Sequence, residues 1–391
     1  MKKLICFMLA AMMLLSAASA LADTKINPQE NRGITPAAVT ENAVEDGISP
    51  TTGLTLSTLN VPAGFTGMAA TGRYLPMMVQ IGNDNGGVGN RAPWGASYLD
   101  VAYEMPLHKN GATRLSFIYN DVVPDSAGYI RSARVTHVWL REEWGAGFLF
   151  YGQQEYESTN VITEFKNLGH DYVFDDLLFN GIVGDSKPWK KYYTARSGVV
   201  RPYHVNANVA AMYSLVPADY VAPNHAFKFT DEMPEGDDAQ SVKVVWHGGE
   251  SDNTYGSQLI YDLDSNTYLR YMRRENGAKE PWVDKDTGEQ IGFANVIVQF
   301  ANVEYKSNDA PVIYVIGKSG DNFKAIEGNA DFFMGGKHVA GYWKHDSVTS
   351  RTVYYGPDGE EISLQRGKTL IVLFPNDGQN DSEITYSATA Q

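Results

Sequence analysis

Apolar residues come in short runs along this chain, and the spacing between them changes character part-way. Met77–Ile81 is a mostly apolar run ending in a Gly/Asn cluster, which predicts a buried strand and then a loop. Leu99–Met105 and Leu115–Tyr119 predict two more strands. Ile130, Val135, Val138 and Trp139 then recur at helical spacing, with Ser132 near the start, so Arg131–Trp144 is expected to be a helix. Phe148–Tyr151 predicts a strand, and Glu155–Leu168 an amphipathic helix stopped by Gly169. Strands alternating with helices predict an α/β layered domain.

From Ser241 the helical signal fades. Short β-rich runs such as Val242–Trp246, Thr267–Arg273, Val296–Phe300, Val339–Trp343 and Thr369–Phe374 follow one another. Turn chemistry separates them, at Asn276-Gly277, Gly335-Gly336 and Pro357-Asp-Gly359. This pattern predicts a second, smaller, mainly antiparallel β domain. The Pro/Asp/Glu/Gly-rich stretch Asp231–Asp238 is the expected boundary. The domains would then span 60–230 and 239–376, an α/β unit followed by a β unit in an overall α+β chain. Residues 23–59 are polar with weak periodicity and are expected to form a flexible spacer, and 377–391 a flexible tail.

The first 22 residues change the picture of where the chain goes. Lys2 and Lys3 precede an apolar run from Leu4 to Leu15, and Ala20-Leu21-Ala22 closes it. This is the pattern of a cleaved secretory signal, with the mature chain starting at Asp23. Cys6, the chain's one cysteine, lies inside that segment. The expected mature protein therefore lacks disulfides, thiolate metal sites and a cysteine nucleophile. Losing Lys2 and Lys3 moves the formal charge from −14 to −16. So acidic a chain should be repelled by nucleic acid, and any anionic ligand must find a local basic pocket.

Few motifs carry chemistry. Gly317-Lys318-Ser319 lacks the earlier glycine and following helix of a phosphate loop and reads as a hairpin turn. Asp262, Asp264 and Asn266 alternate like calcium ligands, but Thr267 stands where the loop needs glycine. The histidines show no zinc spacing, and no metal or cofactor is expected. The arginines speak more clearly. Arg131 and Arg134 fall at a helix start, where free N–H groups already favour an anion, and Arg114 begins the preceding strand. Guanidinium forks hold phosphate or carboxylate at two points. A structural reading competes, in which these arginines pair with Asp100 or Glu104 and lock strand to helix. Asn83, Asp84 and Arg91, in the Gly/Asn-rich segment 82–95, are candidates for binding sugar hydroxyls or an anion. His204, in Arg201-Pro-Tyr-His-Val-Asn206, is either an acid–base group or a hydrogen-bonded loop residue.

Three of these segments also carry a resemblance. Asp100-Val-Ala-Tyr-Glu104, Asn110-Gly-Ala-Thr-Arg114 and Gly128-Tyr-Ile-Arg-Ser-Ala-Arg134 are similar to the D-I-V-Y-E, G-G-[IV]-T-R and G-P-[IV]-R-S-A-R motifs of the YerB-like exported bacterial proteins. That lipoprotein-type family has no established function. The resemblance runs from about Leu75 to Pro375 and implies an N-terminal α/β domain joined to a smaller C-terminal one. It implies no activity. In place of the family's D-N-H stands Gly82-Asn83-Asp84, and no lipid-anchor cysteine is present.

The expectation is thus an exported cell-envelope protein without a lipid anchor. It would bind an envelope glycan or phosphate-bearing polymer, or a protein partner, through Arg114, Arg131, Arg134 and their neighbours. The alternative is an enzyme on such a polymer, with the arginines holding phosphate and Asp100 or Glu104 moving a proton.

Overall fold

The computed structural model describes residues 23–390 apart from 109–111, 172–174, 184–185, 247–254, 274–277, 307–309, 321 and 377–381. The expected signal segment, Cys6 and the Asn276-Gly277 turn lie outside the described residues.

The strands that frame the architecture are β1 (Thr24–Lys25), β2 (Met77–Gly82), β3 (Val101–Pro106), β4 (Thr113–Tyr119), β5 (Gly147–Phe150), β6 (Leu178–Asn180), β7 (Asp237–Asp238), β8 (Ser241–Trp246), β9 (Tyr255–Asp262), β10 (Thr267–Arg273), β11 (Lys279–Pro281), β12 (Asn295–Ala301), β13 (Ile326–Met334), β14 (Lys337–His345), β15 (Thr369–Pro375) and β16 (Glu383–Ser387). Helix α1 covers Val135–Trp144 and α2 covers Val161–Asn167.

The fold is mainly β. An eleven-stranded sheet runs in the order β7-β14-β13-β12-β15-β3-β4-β2-β5-β6, with Val353–Tyr355 added beside β14. A seven-stranded sheet runs β1-β16-β8-β9-β10-β11, with Gly292–Phe293 beside β10. Side chains alternate across the large sheet, as a pleated strand requires. Ala102, Leu115, Phe117 and Phe374 face the smaller sheet in one core, while Val101, Tyr103, Ile118 and Ile371 face α1 and α2 in the other.

The expected α/β layering is therefore corrected. Helices cover one face of the large sheet and a β-sheet covers the other. β3 and β4 form an antiparallel hairpin, and β4 pairs antiparallel with β2. Within the large sheet, parallel pairing among the described residues is confined to β2–β5–β6 and β3–β15–β12. α1 begins at Val135 rather than Arg131, because residues 130 and 131 still pair with the end of β2. α2 is shorter than expected, since residues 155–160 form a small hairpin and Asn160 caps the helix through Thr163 N–H at 3.0 Å.

Three finer expectations fail on packing: a core of its own for each domain, a free spacer and a free tail. β15, from the C-terminal half, inserts beside β3, matching Thr369–Val372 against Val101–Glu104. The two halves share one sheet and both cores, so they are not separately cored. The segment 23–59 is a strap, not a free spacer. β1 pairs with β16, Arg32 bonds Asp331 at 2.8 Å, and Ser49 and Thr52 bond Asp121, each at 2.6 Å. The tail contains β16, whose Ile384 and Tyr386 are buried. A single cooperative unfolding transition is the expected result in calorimetry. Two resolved transitions would mean that the shared sheet does not couple the halves.

Candidate functional site

The arginines gather where β2 ends, on the helix-covered face of the large sheet. Arg114 lies opposite Gly82 across the β2–β4 pair. A Cβ on Gly82 would fall 1.8 Å from Tyr129 Cε2, so the glycine makes room for the Tyr129 ring there. Tyr129 in turn fixes the following loop. Its hydroxyl accepts from Asp84 N–H at 3.0 Å and donates to Asp84 Oδ2 at 3.2 Å. Arg131 is placed by its own N–H, which donates to Gln80 O at 2.9 Å, and its guanidinium stands 3.6 Å from Asp84 Oδ1.

Arg114 and Arg134 converge on one acceptor. Both donate from Nη1 to the Ser132 carbonyl, at 3.0 and 3.4 Å, and Arg134 also reaches Ala133 O at 3.0 Å. A neutral carbonyl does not cancel their charge. Burial, then Arg134 and Arg131, push the Arg114 guanidinium down to about 9. Burial and Arg131 push Arg134 down to about 10. Arg114 and Arg134 remain cationic at neutral pH. His137, in the first turn of α1, accepts the Arg134 backbone N–H on Nδ1 at 3.0 Å. Burial and the two arginines hold its pKa well below the ordinary value, so the ring is neutral with its proton on Nε2. Among the described residues, Arg114 Nε, Arg131 Nε and His137 Nε2 are buried without a hydrogen-bond acceptor. Buried donors normally have partners.

Other residues expected at a site fall elsewhere. Glu104 and Asn83 lie on the opposite face of the sheet from Arg114. Glu104 Oε2 accepts from Arg270 Nη2 at 2.9 Å, and its Oε1 accepts from Thr113 Oγ1 and Asn83 Nδ2 at 2.9 and 3.2 Å. Asp100 is buried in a second cluster, where Oδ2 accepts the Asn120 and Asp121 N–H groups at 2.7 and 2.9 Å. Neither carboxylate touches the arginines, which removes both the expected ion-pair brace and the expected proton carriers from the site. Arg91 does approach. Its guanidinium sits 4.6 Å from the Tyr203 ring centre, and Arg131 sits 5.9 Å from the same ring. His204 follows Tyr203, with Nδ1 buried and without a hydrogen bond.

Sequence reasoning missed Tyr129 and His137 as parts of this arrangement. Tyr129 was visible inside the Gly128–Arg134 motif. His137 is one turn beyond Arg134 and could have been found from that spacing. Elsewhere, Gly317–Ser319 forms a hairpin with Asn322–Lys324, and Asp262 folds onto Ser265 in the β9–β10 turn. Among the described residues, no group of His, Asp and Glu side chains is arranged to hold a metal ion, and no helix is long and apolar enough to cross a membrane.

The model of the DUF3048 N-terminal domain, a protein of unknown function, matches residues 65–210, and that of the DUF3048 C-terminal domain matches residues 245–371. The chain belongs to the DUF3048 family. The crystal structure of the YerB protein from Bacillus subtilis is similar in fold, at 18% identity and a TM-score of 0.62, covering 86% of this chain and 99% of that one. No curated protein matches. In DUF3048 terms, the arginine site lies wholly within the N-terminal match. The Glu104–Arg270 pair joins the N-terminal match to the C-terminal one.

Proposed function

We propose that this chain is an exported cell-envelope protein that binds a phosphate-bearing envelope polymer through Arg114, Arg131 and Arg134. The observation that carries this reading is the gathering of three guanidiniums, of which Arg114 and Arg131 each keep a buried Nε–H without an acceptor. A phosphate group supplies oxygens in the geometry a guanidinium fork prefers. The export pattern of residues 1–22 supports an envelope setting. The chain's net charge of −14 makes a local cationic site stand out against its surroundings. Binding is favoured over an enzymatic role because Asp100 and Glu104 are engaged away from the arginines.

The test is Arg131→Gln with Arg134→Gln. Affinity for a phosphate-bearing glycan polymer is expected to fall roughly tenfold or more, the worth of one charge-assisted hydrogen bond. The melting temperature is expected to stay level or rise, because like charges leave a crowded site. Equal binding by the wild-type protein to the same polymer after dephosphorylation would sink this reading. A large loss of melting temperature that Asp84→Asn reverses would recast the arginines as braces for Asp84.

A further inference from the structure

The charge count at this site says more about the ligand than its being anionic. Arg114, Arg131 and Arg134 bring three positive charges, and Asp84 is the carboxylate among them. None of the other groups facing the site brings a negative charge to offset this at neutral pH. His137 is neutral, with Nδ1 committed to the Arg134 N–H. Burial raises the Tyr129 phenol above its ordinary value, so it stays protonated. Tyr156, the other phenol near Arg134, is exposed on the small hairpin. Arg91 reaches the site only across the Tyr203 ring and adds positive charge. At least two positive charges are therefore uncompensated in a largely buried place, where such imbalance is costly.

We propose that this site selects a doubly charged phosphate group, a monoester or a chain-terminal phosphate, over the singly charged diester inside a polymer backbone. The inference rests on the anion-binding reading above and narrows its ligand. A diester carries one charge and leaves a surplus. A monoester carries close to two at neutral pH and presents three terminal oxygens. Arg114 Nε and Arg131 Nε lack acceptors in the protein, and a monoester has oxygens to spare for both. Because His137 is held neutral, it should not itself titrate between about pH 5 and 8. The change of charge expected there is the ligand's.

Titration calorimetry of the full mature chain with methyl phosphate, dimethyl phosphate and sulfate separates the cases. Methyl phosphate affinity is expected to rise by up to tenfold per pH unit below its second ionisation, near pH ~6, and to level off above it. Sulfate, doubly charged throughout, should bind with flat pH dependence. Dimethyl phosphate should bind at least about tenfold more weakly than methyl phosphate at neutral pH. Arg131→Gln lowers the site's charge by one and should shrink that preference. Equal binding of the two esters would overturn the dianion selectivity while leaving phosphate-polymer binding intact. Sulfate binding that weakens in step with rising pH would also overturn it, because a protein group would then be titrating. Failure of all three anions to bind would sink the anion site itself.

Discussion

Replacing Arg270 with methionine is expected to cost the fold about 3–5 kcal/mol, the usual penalty for leaving one member of a buried ion pair without its partner. Arg270 is fully buried and Glu104 nearly so, and their contact is 2.9 Å. The guanidinium also lies 4.6 Å from the centre of the Trp282 ring. Without it, Glu104 keeps only the Thr113 hydroxyl and the Asn83 amide to balance a buried charge. The pair sits where β15 is inserted beside β3, so the loss should loosen the joint between the N- and C-terminal family regions. Burial also costs the arginine: it lowers the Arg270 pKa against the pull of Glu104, and Nε and Nη1 lack acceptors. Removing both charges, as Arg270→Met with Glu104→Gln, should therefore restore most of the stability. Urea denaturation of the four proteins gives the coupling directly. A single-variant loss below about 1 kcal/mol would mean that water reaches Glu104 and that the pair behaves as a surface one.

This pair also shows what the sequence hides. In Thr267–Arg273 the even positions Tyr268, Arg270 and Met272 are buried, so an arginine on the apolar side of an alternating strand was a readable sign of a buried partner. Which partner was not readable, because Glu104 is 166 residues away and pairing across a sheet leaves no local mark. The same distance hid the insertion of β15 beside β3, although β2, β3, β4 and β15 are each plain as apolar runs. The strap failed for a different reason. Its contacts are polar on polar, through Arg32, Ser49 and Thr52, and hydrophobic periodicity does not register them. At the arginine site the sequence supplied the residues, since Arg114, Arg131 and Arg134 stand in motifs at element ends. It could not supply their company. One residue of offset along β3 and β4 decides that Arg114 faces the helices while Glu104 and Thr113 face the other sheet.

The protein is expected to be more stable in mild acid than in mild base, and Asp100 with Asp121 should account for much of the slope. Both carboxyls are buried, and Thr51 Oγ1 bridges them at 3.2 and 3.3 Å. Around Asp121 stand hydroxyls and an amide, from Ser49, Thr52 and Asn120. Burial, followed by the charge of Asp121, holds Asp100 well above the ordinary carboxylate range, and burial raises Asp121 as well. The folded state therefore keeps protons that the unfolded chain releases near 3.8. The pair's contribution is greatest below that value and falls as pH rises through the raised folded values, by up to about 1.4 kcal/mol per pH unit for each proton concerned. His170 acts in the same direction at higher pH. Asp175 and Glu142 raise it to about 9, and what it contributes is lost as pH climbs past that value. Glu142, Glu143 and Asp175 oppose at the acid end, where their lowered pKa values make the fold lose stability as they protonate. Asp121→Asn isolates the pair. The asparagine carbonyl can still accept from Ser49, the Thr52 hydroxyl can turn to accept from the new amide, and Asp100 loses its charged neighbour. Melting curves from pH 5 to 8 should then show a shallower slope in the variant, with the gain largest at pH 8. An unchanged slope would place the pH dependence outside this cluster and leave Asp100 and Asp121 as hydrogen-bond acceptors that pin the strap to the sheet.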